Sequence, residues 1–278
     1  MIKIALTGAM GLVGSRLVEL LNQEVEFVPL SQTMMDITNK DQVFNVLKNT
    51  SFDIFLHLAA YTNVDGAEKE KELAHKINVI GTKNVFEVVQ QLKKKFIYIS
   101  TDYIFDGNHP PYFEDSQPNP ISVYGQTKFG GEKVVGKDGM IVRISYPYRA
   151  LFEPKKDFFR TFKSYLEKEQ TLKLVKDSQM TPTFIDDIAY GLKHLINNYS
   201  PEIFHVVGSD NLSPYECAKL VAKVFGLNPF LCQPTTYDEY FKDKAKRPLF
   251  AVMKSKKNNF FPMLTFEQGL LEIKKNQH

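Results

Sequence analysis

The sequence predicts an α/β fold: a doubly wound parallel sheet with helices on both faces, and a smaller C-terminal substrate-binding lobe. Three observations predict it. Short apolar runs alternate with helically spaced stretches from Ile2 to Ile144, the pattern of parallel strands joined by helical crossovers. A glycine-rich turn, Thr7-Gly8-Ala9-Met10-Gly11-Leu12-Val13-Gly14, joins the first run to the first helical stretch. After Ser145 the clean alternation is lost.

Each element follows in order. Ile2 to Leu6 is a short apolar run ending at Thr7-Gly8, a buried first strand. Leu12 to Leu21 has helical spacing, with Leu17, Val18, Leu20 and Leu21 on its apolar face. Val25 to Leu30 is a second strand, and Asp41 to Lys48 a helix that Thr38 or Asn39 could cap. Asp53 to Leu58 is a third strand, Glu70 to Leu92 a long helical stretch, and Phe96 to Ser100 a fourth strand. A helix carries Tyr124 and Lys128 and runs on through Thr127 to Val135, ahead of a fifth strand at Met140 to Ile144. Further along, Phe158 to Leu166, Asp186 to Asn197 and Tyr215 to Phe225 are helical, and Leu172 to Val175 and Ile203 to Val207 are strands. Lys274 to His278 is expected to fray. The dinucleotide-type sheet is assigned to residues 1–145 with an interwoven segment at about 182–207, and the substrate lobe to 146–181 and 208–278.

Bulk properties narrow the class. The 278 residues are 43% hydrophobic and 24% charged, enough for a core of this size. A net charge of +3 with dispersed lysines points to solvated faces rather than nucleic-acid binding. No run approaches the roughly 20 apolar residues of a membrane span. A strand that starts at once, with Lys3 inside it, argues against a cleaved signal peptide. Cys217 and Cys232 make neither a disulfide framework nor a metal site, so a reducing, cytoplasmic setting and no metal are expected.

The glycine turn is a phosphate cradle in the right context. Glycines at 8, 11 and 14 allow a tight turn, close approach to a pyrophosphate and close helix–strand packing, and the helix N-terminus offers free N–H groups. Gly8, Met10, Gly11, Leu12 and Val13 are therefore cofactor-binding candidates. An acid after the second strand would hold an adenosine ribose, yet Ser31-Gln32-Thr33 stand there. Nothing repels a 2′-phosphate, which favours NADP(H), with NAD(H) the alternative. Arg16 is one candidate partner for that phosphate, although a surface role suits it better.

Tyr124 and Lys128 share a helix face, a spacing that lets an ammonium sit near a phenol and lower its pKa. A Tyr so tuned exchanges a proton with a carbonyl or alcohol. Ser100-Thr101-Asp102 ends the fourth strand, where ligands of open sheets bind. Thr101 can offer its hydroxyl to the oxygen that Tyr124 serves, although such a cluster also caps helices and turns. The segment Asp106 to Val123, between these pieces, is long for a connection.

With these motifs the chain resembles the extended short-chain dehydrogenase/reductases, and within them the dTDP-4-dehydrorhamnose reductase group. The likeness runs through Thr7-Gly8-x-x-Gly11-x-x-Gly14, Ala59-Ala60-Tyr61-Thr62-Asn63-Val64-Asp65, Asn78-x-x-Gly81-Thr82, Ser100-Thr101-Asp102-Tyr103-Ile104-Phe105-Asp106-Gly107, Tyr124-Gly125-x-Thr127-Lys128, Pro182-Thr183 and Arg247-Pro248. It implies a Rossmann domain for NADP(H) or NAD(H) and a nucleotide-sugar lobe. It implies Tyr124 as acid, Lys128 as tuner and ribose ligand, and Thr101 as carbonyl donor. Asp36 and Ile37 near the adenine, and Ala59, Ala60 and Tyr61 after the third strand, would line the cofactor. Asp102, Tyr103, Phe105, Tyr146 and Arg247 would meet the substrate, and Asn78 would steady the middle of the site or else bond its own helix. The implied activity is reduction of a 4-keto nucleotide sugar. Some relatives dimerise through a carboxylate-held metal; a homodimer stays open here, and no motif calls for that metal.

Departures gather in the substrate half. Ser145-Tyr146-Pro147-Tyr148 replaces a Ser-Trp stretch, Ser178 and Met180 replace Gln and Gly of a later loop, and Ala251 stands for a Ser. Two other readings remain: a cofactor-binding module like the regulatory subunit of methionine adenosyltransferase, and a nucleotide-sugar epimerase or dehydratase. Retention of Thr101, Tyr124 and Lys128 weighs against the first, and Tyr103 in place of Glu after Asp102 against dehydration.

Overall fold

The computed structural model describes residues 1–276. Its first half alternates strand and helix: β1 (Ile2–Thr7), α1 (Leu12–Leu21), β2 (Val25–Leu30), α2 (Lys40–Lys48), β3 (Ile54–His57), α3 (Val64–Lys69), α4 (Lys71–His75), α5 (Thr82–Gln91), β4 (Lys95–Thr101), α6 (Val123–Val135) and β5 (Met140–Ile144). The second half adds β6 (Pro147–Tyr148), α7 (Phe158–Glu167), β7 (Leu172–Val175), β8 (Gln179–Met180), β9 (Thr183–Phe184), α8 (Ile185–Asn197), β10 (Ile203–His205), α9 (Pro214–Phe225), β11 (Cys232–Thr235), α10 (Tyr237–Phe241), β12 (Phe250–Ala251) and α11 (Phe266–Lys275).

Six strands form one parallel sheet in the order β10-β5-β4-β3-β1-β2. All of β5 is buried, and all of β4 but Lys95, as expected of inner strands covered on both faces. On one face α1 and α8 pack Leu17, Leu21, Ile188 and Leu192 against Leu6 and Ile97. On the other, α2 and α5 pack Val43, Leu47, Val85 and Val89 against Phe55 and Phe96. The chain leaves β1 toward β2, then returns to lay β3 on β1's other side. Ligands of such sheets bind beyond the strand ends at this reversal. A separate apolar cluster joins α7, α9 and α11 around Tyr148, Phe159, Val221 and Phe266.

The sequence reading and the structure differ in several elements. The helix expected over Glu70 to Leu92 is broken by a π-helical stretch at Lys76–Gly81. Of the two caps offered for α2, Asn39 serves, accepting from the Gln42 N–H. The helices α3, α10 and α11 were not foreseen; α3 and α10 are too short for periodicity to show, but the Thr265 to Gln268 capping box announced α11. Lys274 and Lys275 belong to α11, and Lys274 Nζ donates to the Val224 carbonyl at 2.7 Å, so the tail does not fray there. Gln277 and His278, also assigned to that tail, lie outside the described residues.

One buried ion pair fixes α6 on the sheet. Arg143 on β5 donates from Nε and Nη2 to the two Glu132 oxygens at 2.9 and 2.8 Å, with both side chains almost fully buried. Removing one partner strands the other charge in the interior. Glu132→Ala is expected to cost about 3–5 kcal/mol of stability, read from urea unfolding. A loss below about 1 kcal/mol, the scale of an exposed pair, would contradict this.

Candidate active site

The phosphate turn sits at the sheet reversal. Gly8 has φ of 73°, in the left-handed region, and a Cβ there would lie 2.9 Å from the Ala59 nitrogen. A Cβ on Gly14 would come within 2.3 Å of the Gly8 carbonyl oxygen, so α1 starts closer to β1 than a side chain permits. Gly11 is the N-cap of α1 and supplies no side-chain acceptor, and the first turn carries no acid. The leading N–H groups and positive dipole end are thus left for an anion.

Adenosine-side candidates fare unevenly. Ser31, Gln32 and Thr33 are exposed, and the Ser31 and Thr33 hydroxyls bond each other at 2.8 Å. Arg16 is committed elsewhere: it pairs with both Asp186 oxygens at 2.7 Å and with Glu19, and these carboxylates raise its pKa. Asp36 turns inward on its own loop, accepting from Thr38 N and Oγ1 at 2.9 Å each. Ile37 is buried under Gly81, where an added Cβ would lie 2.8 Å from its side chain. Neither Asp36 nor Ile37 lines the main cleft.

Asn78 lies in the π-helical stretch and reaches across the site rather than bonding its own helix. Its Oδ1 accepts from Tyr61 N at 2.7 Å, and its Nδ2 donates to Tyr61 O at 3.1 Å and Thr127 Oγ1 at 2.9 Å. It thereby ties the segment after β3 to the helix of Tyr124, a use typical of π-bulges near function. The Tyr61 hydroxyl donates to Glu70, and Tyr61, unlike Ala59 and Ala60, is not among the residues that line the main cleft. Asn78→Ala strands these buried partners, at an expected cost of about 1–3 kcal/mol in urea unfolding. Full retention of stability would show that water replaces the amide.

The strand-end cluster is tightly bonded. Thr101 Oγ1 donates to Asp102 Oδ1 at 2.8 Å, and Ser145 Oγ donates to Asp102 Oδ2 at 2.9 Å. Burial pushes the Asp102 carboxyl up to about 6, although both hydroxyls work against the rise. Tyr103 N in turn donates to Thr101 Oγ1 at 3.3 Å. Ser100 Oγ is buried on the cleft wall with no hydrogen-bond partner among the described residues.

The tyrosine–lysine pair departs from expectation. Lys128 Nζ donates to the Ile99 carbonyl at 2.7 Å and lies 4.1 Å from the Tyr98 ring centroid. Burial brings its pKa down to about 7, against the pull of Glu132. Burial raises the Tyr124 phenol instead of lowering it; the Thr101 hydroxyl offsets part of this, while Asp102 and Tyr103 add to it. A shared helix face brings the two side chains to one cleft, but the lysine reaches onto β4.

The substrate-side candidates divide. Tyr103 packs edge-on against Tyr124, with ring centroids 5.3 Å apart, and its hydroxyl lies 3.4 Å from that of Tyr146. Tyr146 has φ of 37°, a strained backbone for a residue with a side chain. Arg247 is paired with Asp65 at 2.9 Å and exerts its charge on the Tyr103 and Tyr146 phenols, opposing the rise that burial causes in both. Phe105 is the clear miss: it is fully buried and stacks on Tyr112 at 4.2 Å, so its ring does not reach the cleft.

A cleft of about 650 Å³ gathers Gly8, Met10, Gly11, Leu12, Val13, Ala59, Ala60, Thr101, Asp102, Tyr103, Tyr124, Lys128 and Tyr146. Ser100, Phe152, Lys155, Lys156 and Asp157 also line it, and sequence reasoning missed them. The Pro154-Lys155-Lys156 stretch next to the predicted helix at Phe158 was the available signal. A smaller hollow of about 310 Å³ near Glu114, Lys137 and Lys256 contains none of the candidates. Among the described residues no three His, Cys, Asp or Glu side chains gather as a metal site, and no helix is long and apolar enough to cross a membrane.

The sequence matches the family described as RmlD substrate binding domain over residues 2–276. It is 33% identical over 258 residues to the spore coat polysaccharide biosynthesis protein SpsK of Bacillus subtilis, covering 91% of this chain and 89% of that one. It is 30% identical over 263 residues to a dTDP-4-dehydrorhamnose reductase of Mycolicibacterium smegmatis, covering 92% and 79%. Among solved structures, a dTDP-4-dehydrorhamnose reductase from Bacillus anthracis in complex with NADP superposes with a TM-score of 0.91 at 32% identity, covering 99% of this chain and 100% of that one.

Proposed function

We propose, for a chain that belongs to the RmlD substrate binding domain family of extended short-chain dehydrogenase/reductases, that it reduces the 4-keto group of a nucleotide-linked deoxyhexose with NADPH. The observation that carries this reading is the convergence of Thr101, Tyr124 and Lys128 on the cleft that also holds the Gly8 to Gly14 turn.

The fit to a dinucleotide rests on the chain's own features. The turn at Gly8 and Gly14 leaves no room for side chains, α1 begins without an acid, and Ser100 keeps an unspent hydroxyl in the cleft. Gly8, Met10, Gly11, Leu12, Val13, Ala59 and Ala60 would hold the cofactor there, with Lys128 on the ribose. Ser31, Gln32 and Thr33 leave room for a 2′-phosphate, which supports NADP(H), with NAD(H) also admitted. The bound dinucleotide supplies hydride to the carbonyl carbon.

The protein's part is to manage the proton and the developing charge. A phenol with a raised pKa keeps its proton at neutral pH, so Tyr124 stands ready to give it to the carbonyl oxygen. The Lys128 ammonium stabilises the tyrosinate left behind. Thr101 gives its hydrogen to Asp102; protonation of Asp102 reverses that bond and frees the Thr101 hydrogen for the substrate oxygen. Tyr103, Tyr146 and Arg247 form the sugar side. The dinucleotide domain in this reading comprises residues 1–145 and about 182–207, in keeping with β10 closing the sheet beside β5 and α8 packing on α1. The cluster of α7, α9 and α11 would form the nucleotide-sugar lobe. Cys217 and Cys232, buried as free thiols, suit a reducing compartment.

The test follows NADPH absorbance while the purified chain is given a dTDP-linked 4-keto-6-deoxyhexose. Steady consumption supports a reductase. Tight NADPH binding without turnover points to a binding module, and sugar epimerisation without net NADPH use to an epimerase.

A further inference from the structure

The cleft carries a charge problem that the glycine turn alone does not solve. A dinucleotide and a nucleotide sugar each bring a diphosphate, and NADPH a further phosphate. The charged side chains lining the cleft are Asp102, Lys128, Lys155, Lys156 and Asp157. Lys128 is buried, bonded to Ile99 O and reduced to a pKa of about 7. Asp157 is spent on the segment itself, accepting from Arg149 N, Arg160 N and Arg160 Nε.

That leaves Lys155 and Lys156, both exposed, on the segment between β6 and α7. The segment is anchored without them. Arg149 holds its start to α1, donating to Ser15 Oγ at 2.9 Å and Glu19 Oε2 at 2.6 Å. Arg160 holds its end, donating to Phe152 O and, at 2.6 Å, to Lys155 O. Lys155 Nζ has no partner among the described residues, and Lys156 Nζ rests on the uncharged Ser164 Oγ at 2.8 Å. Glu153, the acid on the same segment, does not line the cleft.

We propose that Lys155 and Lys156 form the cationic wall of a diphosphate site, opposite the Gly8 to Gly14 turn, that binds ligand phosphates by charge-assisted hydrogen bonds. The inference rests on the reading of the cleft as a nucleotide site. It goes beyond that reading in giving phosphate recognition to a segment outside the sheet.

The test compares the intact chain with the double variant Lys155→Gln/Lys156→Gln. A control, Lys168→Gln/Lys173→Gln, removes the same charge from exposed positions away from the cleft. Kd is measured by fluorescence for NADPH and by calorimetry for dTDP, at low and high salt. The double variant is expected to bind about tenfold more weakly, with a shallower salt dependence, as for two partly exposed charge contacts. Loss confined to NADPH assigns the lysines to the dinucleotide, and loss confined to dTDP to the sugar nucleotide. Unchanged affinity for both, or an equal loss in the control, overturns the inference. A wild-type chain that binds neither ligand sinks the reading of the cleft along with it, whereas normal wild-type binding with an unaffected variant sinks the inference alone.

Discussion

Tyr124→Phe lowers kcat by about 10³-fold and leaves the Kd for NADPH within about twofold, because the change removes one proton donor and no packing. The ring is buried against Tyr103, and phenylalanine keeps that contact. A general acid contributes about 10²–10⁴ in rate, which sets the size of the effect. The variant should fold as the parent does, so near-ultraviolet circular dichroism and the urea midpoint serve as controls. If turnover stays within about tenfold of the parent, Tyr124 is not the acid, and the proton comes from another group or from water.

The second large effect lies at Lys128, and its sign follows from burial. The folded-state pKa is about 7 against 10.5 for the free side chain of the unfolded state. Below about pH 7 both states carry the proton, and the full penalty of burying an ammonium is present. Between about 7 and 10.5 the unfolded chain binds more protons, so this group's contribution to stability rises with pH across that window. Two units of such a window are worth roughly 2 kcal/mol. Lys128→Met should abolish that rise, read as the difference between the two proteins in urea unfolding at about pH 7 and pH 9. The activity profile runs the other way. Only the charged lysine stabilises a tyrosinate, so kcat/KM should fall as pH climbs through about 7, and Lys128→Met should be at least about 10²-fold slower and lose that limb. An unchanged limb in the variant would assign it to another group, Asp102 first, since its carboxyl also titrates near neutrality, at about 6.

The glycine-turn side of the cleft was legible because its constraints are local. A turn that must admit no Cβ at Gly8 and Gly14 writes glycine into the chain, and buried inner strands write apolar runs at Phe96 to Ile99 and Met140 to Val142. Spacing put Tyr124 and Lys128 on one helix face, and both line the cleft. What spacing does not fix is where a flexible chain ends. Lys128 finds the Ile99 carbonyl and the Tyr98 ring, partners about 30 residues upstream in sequence, and burial then raises the phenol it was expected to acidify. Asn78 shows the same limit. Its hydrogen bonds to Tyr61 and Thr127 depend on a π-helical turn that no periodicity announces. Phe105 reads like a site residue by its neighbours Thr101 to Tyr103, yet its ring stacks on Tyr112 inside the loop that follows. Lys155 and Lys156 went unremarked because their place on the cleft wall depends on Arg149 and Arg160 anchoring an irregular segment across long sequence distances.

The central claim is that this cleft delivers hydride to a sugar carbonyl while Tyr124 delivers the proton. The measurement that bears on it most directly uses NADPH deuterated at the transferring position of the nicotinamide ring, with a dTDP-linked 4-keto-6-deoxyhexose as substrate and mass spectrometry of the sugar product. The account predicts one deuterium at C4 of each product molecule for each NADPH consumed, at a rate that Tyr124→Phe cuts by about 10³-fold. Product without label, or NADPH that is bound and never consumed, would contradict it.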